Sequence, residues 1–367
     1  MDLQATMLEF ARRNPKMAGE RKSVTIHYRK FNRPATVQQT LETLVRGAMD
    51  SSSDEGVPLK SRYLARLNTA GSDNYFVNTY HDGSGATSLV FGDILHFTKG
   101  HLQALCRTAD QSAASVPVQQ MKAPEQSEYV HSQMFWMVKN DHAFVVQSMS
   151  LRTAELEQYF DWLLKNRTNQ LPATQPVIFD AKFDEDVVGG DLGDIQEIIV
   201  GGVASAPATA PDDEESERIS EVTHRGQIDT GRTTGRATAT EVLRVLLGGD
   251  VNVISLMQAV PADAELSVQV HIGYQTKKRK VDRVALRQLE TGLRNLPDSQ
   301  LAVKSKGARV AADGTIRLHH NASIRLIKAQ DGDNKIIGSL LDPTDVLRAM
   351  VEAYSNFVAN GKILETS

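Results

Sequence analysis

Two stretches near the C-terminus alternate strictly between apolar and polar residues. In Leu266-Ser267-Val268-Gln269-Val270-His271-Ile272 the even positions are apolar and the odd ones polar. From Ile316 to Leu326 the odd positions again carry only polar groups. A period of two means β-strands with one buried and one wet face, which limits this region to a sheet with a covered side. The same region is strongly basic. Between Leu266 and Lys328 there are thirteen Lys/Arg and four acids, in a chain whose net charge is −4. Charge concentrated in this way is an electrostatic footprint for a polyanion. The spacing predicts a one-faced β-α-β-β segment whose wet face carries Gln269, His271, Arg317, His319, Asn321 and Arg325, with Lys277–Lys280 at its rim.

At 367 residues the chain can hold two domains, each with its own core. The single Cys106 excludes an internal disulfide framework and a zinc site built on cysteines, and fits a reducing compartment. No apolar run reaches the roughly 18 residues that span a bilayer. Residues 1–19 lack the apolar stretch of a secretory signal, so the expected location is the cytoplasm.

The N-terminal part reads as a strand over Ser23–Phe31, an amphipathic helix over Val37–Met49, and three strands at Tyr63–Asn68, Tyr75–His81 and Ser88–Phe97. Gln111–Ser127 is polar and contains proline, and reads as a loop. Gln133–Val138 and Ala143–Ser148 flank the turn Lys139-Asn140-Asp141-His142, a hairpin signal. A helix over Thr153–Lys165 and a strand over Val177–Phe183 follow.

Residues 180–221 then hold thirteen Asp/Glu against Lys182 and Arg218. That composition reads as a linker. The expected fold is α+β: two mixed antiparallel-sheet and helix domains, 1–183 and 237–367, joined by an acidic flexible linker over 184–236. The second domain opens with a helix at Glu241–Leu247. A further helix starts at Asp282, and a last one at Asp342-Pro343, with aspartate as N-cap and proline in the first turn.

The order of these parts resembles the RexA family of phage-exclusion proteins. The likeness rests on Tyr28-Arg29-Lys30 ending the first strand, on Met134-Phe135-Trp136-Met137-Val138 leading to Leu163-Leu164, and on Glu241-Val242-Leu243-Arg244-Val245-Leu246. It also rests on the basic strand-helix-strand over Leu266–Lys280 and Leu301–Arg309. The resemblance covers most of 23–359, and the acidic insert at 184–236 departs from it. It implies a cytoplasmic, dimeric protein that binds double-stranded DNA and activates a separate membrane effector.

The residues expected to contact nucleic acid are Lys277, Lys278, Arg279, Lys280, Arg283, Lys304, Lys306, Arg309, Arg317, His319 and Arg325. Phosphates demand only positive charge at groove spacing, so Lys and Arg suffice. Base reading demands a recognition element, and no helix-turn-helix or zinc-finger spacing is present, so the expected binding is indifferent to sequence. Two other readings stand beside this one. Asp180-Ala181-Lys182 is half of a magnesium-nuclease constellation, with a carboxylate for the metal and a lysine for the phosphate or attacking water. Alternatively the basic face meets an acidic protein, as in a scaffold. No nucleotide-loop, serine-hydrolase or zinc-protease motif is present, so no enzyme activity, small-molecule substrate, cofactor or metal is expected. Adjacent His319 and His320 point to opposite faces of a strand and so do not easily share one ion, while His319 and His271 lie on one face only if their strands pair.

Overall fold

A computed structural model describes residues 21–52, 56–83, 88–106, 118–148, 150–182, 184, 195–205, 265–273, 301–305, 317–331 and 334–365. The chain divides into two compact units, one holding residues up to Phe179 together with His320 onward, the other holding Asp180–His319.

In the first unit the strands are β1 (Arg21–Phe31), β2 (Asn68–Ala70), β3 (Asp73–Gly83), β4 (Leu89–Thr98), β5 (Leu102–Cys106), β6 (Val118–Lys122), β7 (Val130–Lys139) and β8 (His142–Val146). The short β9 (Phe179–Ala181) follows them. In the second unit lie β10 (Ile195–Ser205), β11 (Glu265–Gly273) and β12 (Leu301–Ser305). The chain then returns through β13 (His319–Asp331) and β14 (Asn334–Leu341). Three α-helices complete the described residues: α1 (Leu41–Asp50), α2 (Thr153–Asp161) and α3 (Pro343–Ala359). The fold class is α+β, built on one large antiparallel sheet.

That sheet runs β14-β13-β1-β8-β7-β4-β3-β2, with β9 alongside β1. The register of β1, β8, β7, β4 and β3 sorts its residues onto two faces. One face carries Phe31, Val77, Val90, Ile94, Met134, Trp136, Val138, Ala143 and Val145, all buried against Leu44, Val45 and Met49 of α1 and Leu156, Tyr159 and Phe160 of α2. Trp136 meets Phe160 edge to face at 5.1 Å, the offset geometry aromatic pairs favour. The opposite face presents Tyr28 and Phe144 to α3. Phe357 lies 6.2 Å from Tyr28 and 5.9 Å from Phe144, and Tyr354 lies 6.1 Å from Phe144.

The division into units runs differently from the expected boundaries. Residues 320–367 cluster with the N-terminal part, because β13 and β14 extend the large sheet beyond β1 and α3 covers the apolar face next to them. The sequence places them after the linker and gives no sign of this long-range pairing. Residues 195–205, expected to be linker, form β10, the middle strand of a three-stranded sheet β11-β10-β12. The β-branched residues Ile195, Ile198, Ile199, Val200 and Val203 outweigh the acids around them. Residues 206–264, with the expected helix at 241–247, lie outside the described residues, as does the helix expected from Asp282.

Several local expectations are corrected. Tyr63–Asn68 is not a strand: Leu59–Ser61 and Tyr63–Arg66 form 3₁₀ turns before β2. Part of Gln111–Ser127 is not loop: Val118–Lys122 pairs antiparallel with Leu102–Cys106 as a two-stranded ribbon. Helix α1 begins at Leu41 rather than Val37, because the Thr40 hydroxyl accepts from the Thr43 backbone N–H at 3.3 Å and ends the extended approach. The strand expected over Val177–Phe183 is confined to Phe179–Ala181. Helix α2 runs to Asp161 and passes into a π-helical turn over Trp162–Arg167. Its first residue is Thr153, and the backbone N–H of Arg152 before it donates to Glu155 at 2.7 Å.

The hairpin at Lys139–His142 forms as expected, with Asn140 at φ 54°. Its turn also docks on α1: Asp141 accepts from the Leu41 N–H at 2.9 Å, and Glu42 accepts from the Asn140 N–H at 2.7 Å. Helix α3 starts as its sequence dictates. Asp342 accepts from the backbone N–H groups of Thr344 at 2.9 Å and Asp345 at 3.3 Å, with Pro343 at the first helical position.

Candidate nucleic-acid interface

The three-stranded sheet of the second unit organises the basic region. Central β10 pairs antiparallel with β11 on one side and β12 on the other. Its two neighbours are therefore parallel to each other, and both end at the same edge of the sheet. The register fixes this: Gly273 at the end of β11 and Lys304 near the end of β12 both stand opposite Glu197. Directly opposed residues share a face, and the period of two extends the assignment along each strand. One face collects the positions of Ile198, Val200, Val268, Val270, Ile272, Leu301 and Val303, all apolar. The other collects Glu197, Ser267, Gln269, His271 and Lys304 together with the apolar positions Ile199, Val203 and Ala302. The polar positions of Leu266–Ile272 thus fall on one face of the sheet beside Ile199 and Val203, and β12 adds the position of Lys304 to that face.

Two basic clusters are attached to this edge. Lys277, Lys278, Arg279, Lys280 and Arg283 begin four residues after Gly273, while Lys306 and Arg309 follow Lys304 directly. These residues, other than Lys304, lie outside the described residues. The two strands that lead to them are separated by one strand, so their ends stand roughly 9.6 Å apart, twice the usual strand spacing. Sequence reasoning missed β10, and with it the reason the clusters share an edge. The signal was the run Ile198-Ile199-Val200, which its acidic flanks and the Gly201-Gly202 pair obscured.

The other expected contacts belong elsewhere. β13 joins β1 in the large sheet and does not pair with β11, so the wet face expected over 266–328 is split between two sheets. Arg317 is only 1% exposed and precedes β13, beside a backbone bond from Leu318 N–H to Lys182 carbonyl at 2.7 Å. A guanidinium this buried has no path to a phosphate in this arrangement. His319 is partly exposed, with Nδ1 2.8 Å from the Arg317 carbonyl oxygen. Arg325 is held by acids of α3, lying 3.3 Å from Asp342 and 3.6 Å from Asp345. Of the eleven expected contacts, the register gathers Lys304 and the attachment points of seven others, and sets Arg317, His319 and Arg325 apart.

Asp180 sits in β9 between buried Phe179 and Ala181, and Asp184 is itself buried. Among the described residues no three His, Cys, Asp or Glu side chains are grouped to hold an ion. His271 and His319 stand in strands of different sheets, so the pairing that would let them share an ion does not occur. The most buried carboxylate among the described residues of the first unit, Asp93, is spent on structure. It accepts from the Thr79 N–H at 2.8 Å and Gln133 Nε2 at 2.7 Å, and also bonds Asn78 and the Thr79 hydroxyl. No helix among the described residues is long and apolar enough to cross a membrane. No family model matches the chain, and no curated protein does.

Proposed function

We propose that this protein binds double-stranded DNA through phosphate contacts, without reading base sequence and without cleaving it. The observation that carries the reading is the shared register of Gly273 and Lys304 opposite Glu197. It ties two Lys/Arg clusters, otherwise about 25 residues apart in the chain, to one edge of one sheet. A separation of roughly 9.6 Å between strand ends falls between the about 6 Å minor and about 12 Å major groove widths of B-DNA. Clusters joined to the chain at those strand ends would supply the cations for phosphates on both sides of a groove. Such contacts set affinity and leave sequence unread.

The resemblance to the RexA family supplies the biological setting of this proposal. There the protein is a cytoplasmic homodimer and the sensing component of a phage-exclusion system, coupled by conformational change to a membrane effector. The acidic residues that flank β10 in the chain give the coupling a physical basis, because they compete with DNA for the same cations.

The test is a titration of random duplex DNA with the full chain, with and without magnesium. Retardation that weakens steeply with salt and leaves the DNA intact supports the proposal. Magnesium-dependent cleavage would establish a nuclease instead. No binding to DNA, together with capture of an acidic polypeptide by the same surface, would establish a scaffold.

A further inference from the structure

Three histidines meet at the root of the β5–β6 ribbon. His96 lies in β4, His101 in the turn leading to β5, and His131 near the start of β7, just after the ribbon returns. The rings of His101 and His131 meet edge to face at 4.4 Å, and those of His96 and His131 lie 5.4 Å apart. Asp73 of β3 approaches the group from one side. Its Oδ1 is 3.2 Å from His96 Nε2 and also accepts from the Thr98 hydroxyl at 2.6 Å. Tyr75 stacks on His96 at 4.6 Å, and Glu155 of α2 acts electrostatically on Tyr75. In the turn beside His101, Lys99 is exposed and Glu128 accepts from the Gly100 N–H at 3.0 Å.

The ribbon above this root has little else to hold it. Every residue of β5 and β6 is exposed, including Leu102, Leu105, Val118 and Met121. A two-stranded ribbon is marginal in water by itself, so its seating depends on where it is rooted.

We propose that the three imidazoles form a proton-operated latch. Neutral rings keep the ribbon root seated on the sheet; a second proton, which Asp73 cannot balance, pushes the rings apart and loosens β5–β6. Burial holds the His131 imidazole below its ordinary range, His101 and His96 add to the effect, and Asp73 opposes it. The sign follows. A histidine lowered in the seated state binds its proton more weakly there than when released. Seating is therefore fully favoured above the ordinary imidazole value of about 6.5 and is lost as pH falls through it and below.

Amide hydrogen exchange on the full chain, corrected for intrinsic rates, reads the latch. Lowering the pH from about 7.5 to about 5 should reduce protection in Leu102–Cys106 and Val118–Lys122 at least about fivefold, with Phe135–Val146 unchanged. The double variant His101→Gln and His131→Gln should lose that response. Asp73→Asn, which keeps an acceptor for Thr98 but removes the balancing charge, should shift the opening to higher pH. Equal pH responses in wild type and the double variant, or an Asp73→Asn profile superimposable on wild type, would overturn the latch.

Discussion

Arg325 is bound to Asp345 twice: its backbone N–H donates to Oδ2 at 2.9 Å, and its guanidinium lies 3.6 Å from Oδ1. Asp345 is 2% exposed and also receives Arg21 of β1 at 3.3 Å and Arg348 one turn further along α3. One buried carboxylate in the first turn of α3 thus joins β1, β13 and the helix. An arginine that alternation alone assigns to a wet, DNA-facing surface is paired, while still partly exposed, with a buried carboxylate.

Asp345→Ala should therefore destabilise the first unit. The loss of a buried, multiply bonded carboxylate costs about 2–3 kcal/mol, less than a fully buried pair because its arginine partners are partly exposed. A lower urea midpoint with an unchanged slope is the expected result. Arg325→Ala should cost about 1 kcal/mol and leave DNA affinity within about twofold of wild type. A large drop in affinity without loss of stability would return Arg325 to the binding surface.

Replacing Lys277, Lys278, Arg279 and Lys280 together by Ala should weaken duplex binding at least about tenfold at low salt, with unfolding unchanged. The slope of log K against log salt should fall in magnitude by up to about 3.6, at about 0.9 for each phosphate no longer neutralised. Lys304→Ala should act in the same direction and more weakly. Binding isotherms at several salt concentrations decide this, and an unaltered slope would place the interface elsewhere.

Deleting residues 206–221 should tighten DNA binding, most visibly at low ionic strength where screening is weak. The segment carries six acids and one arginine, and it begins just after Ser205, the last residue of β10. A tethered polyanion competes at an effective concentration of order millimolar, so its removal lowers the apparent dissociation constant. The cut has to spare Ala204 and Ser205, which stand opposite Leu266 and Glu265 in the sheet. A folded deletion variant with wild-type affinity at low salt would reduce the stretch to a connector.

Gly92→Ala should be severely destabilising. A Cβ at this position would stand 2.5 Å from the Thr79 carbonyl oxygen and 2.8 Å from the Trp136 ring, where β3 bulges between Val77 and Tyr80. Neither neighbour yields cheaply, since one is backbone and the other a fully buried indole. A cost above about 3 kcal/mol is expected, read as loss of soluble protein or a large fall in Tm.

Local choices are written in the chain itself. Alternation defined β11 and placed Gln269 and His271 on one face of it. Asp342-Pro343 set the start of α3, and Asn140-Asp141 the turn between β7 and β8. Each is encoded within a few residues, because backbone sterics, capping bonds and face periodicity act over that range.

Which strands stand together is settled only when the chain packs. β13 reads like β11 in its alternation of apolar and polar residues, yet one joins β1 across about 300 residues and the other pairs with β10. Strand pairing is a non-local choice: backbone hydrogen bonds are available to any edge, and the pairing that buries the most apolar surface wins. That choice pairs the partly exposed Arg325 with Asp345 and leaves Lys304 at the same end of its sheet as the end of β11. A count of charges along the chain treats the two residues alike.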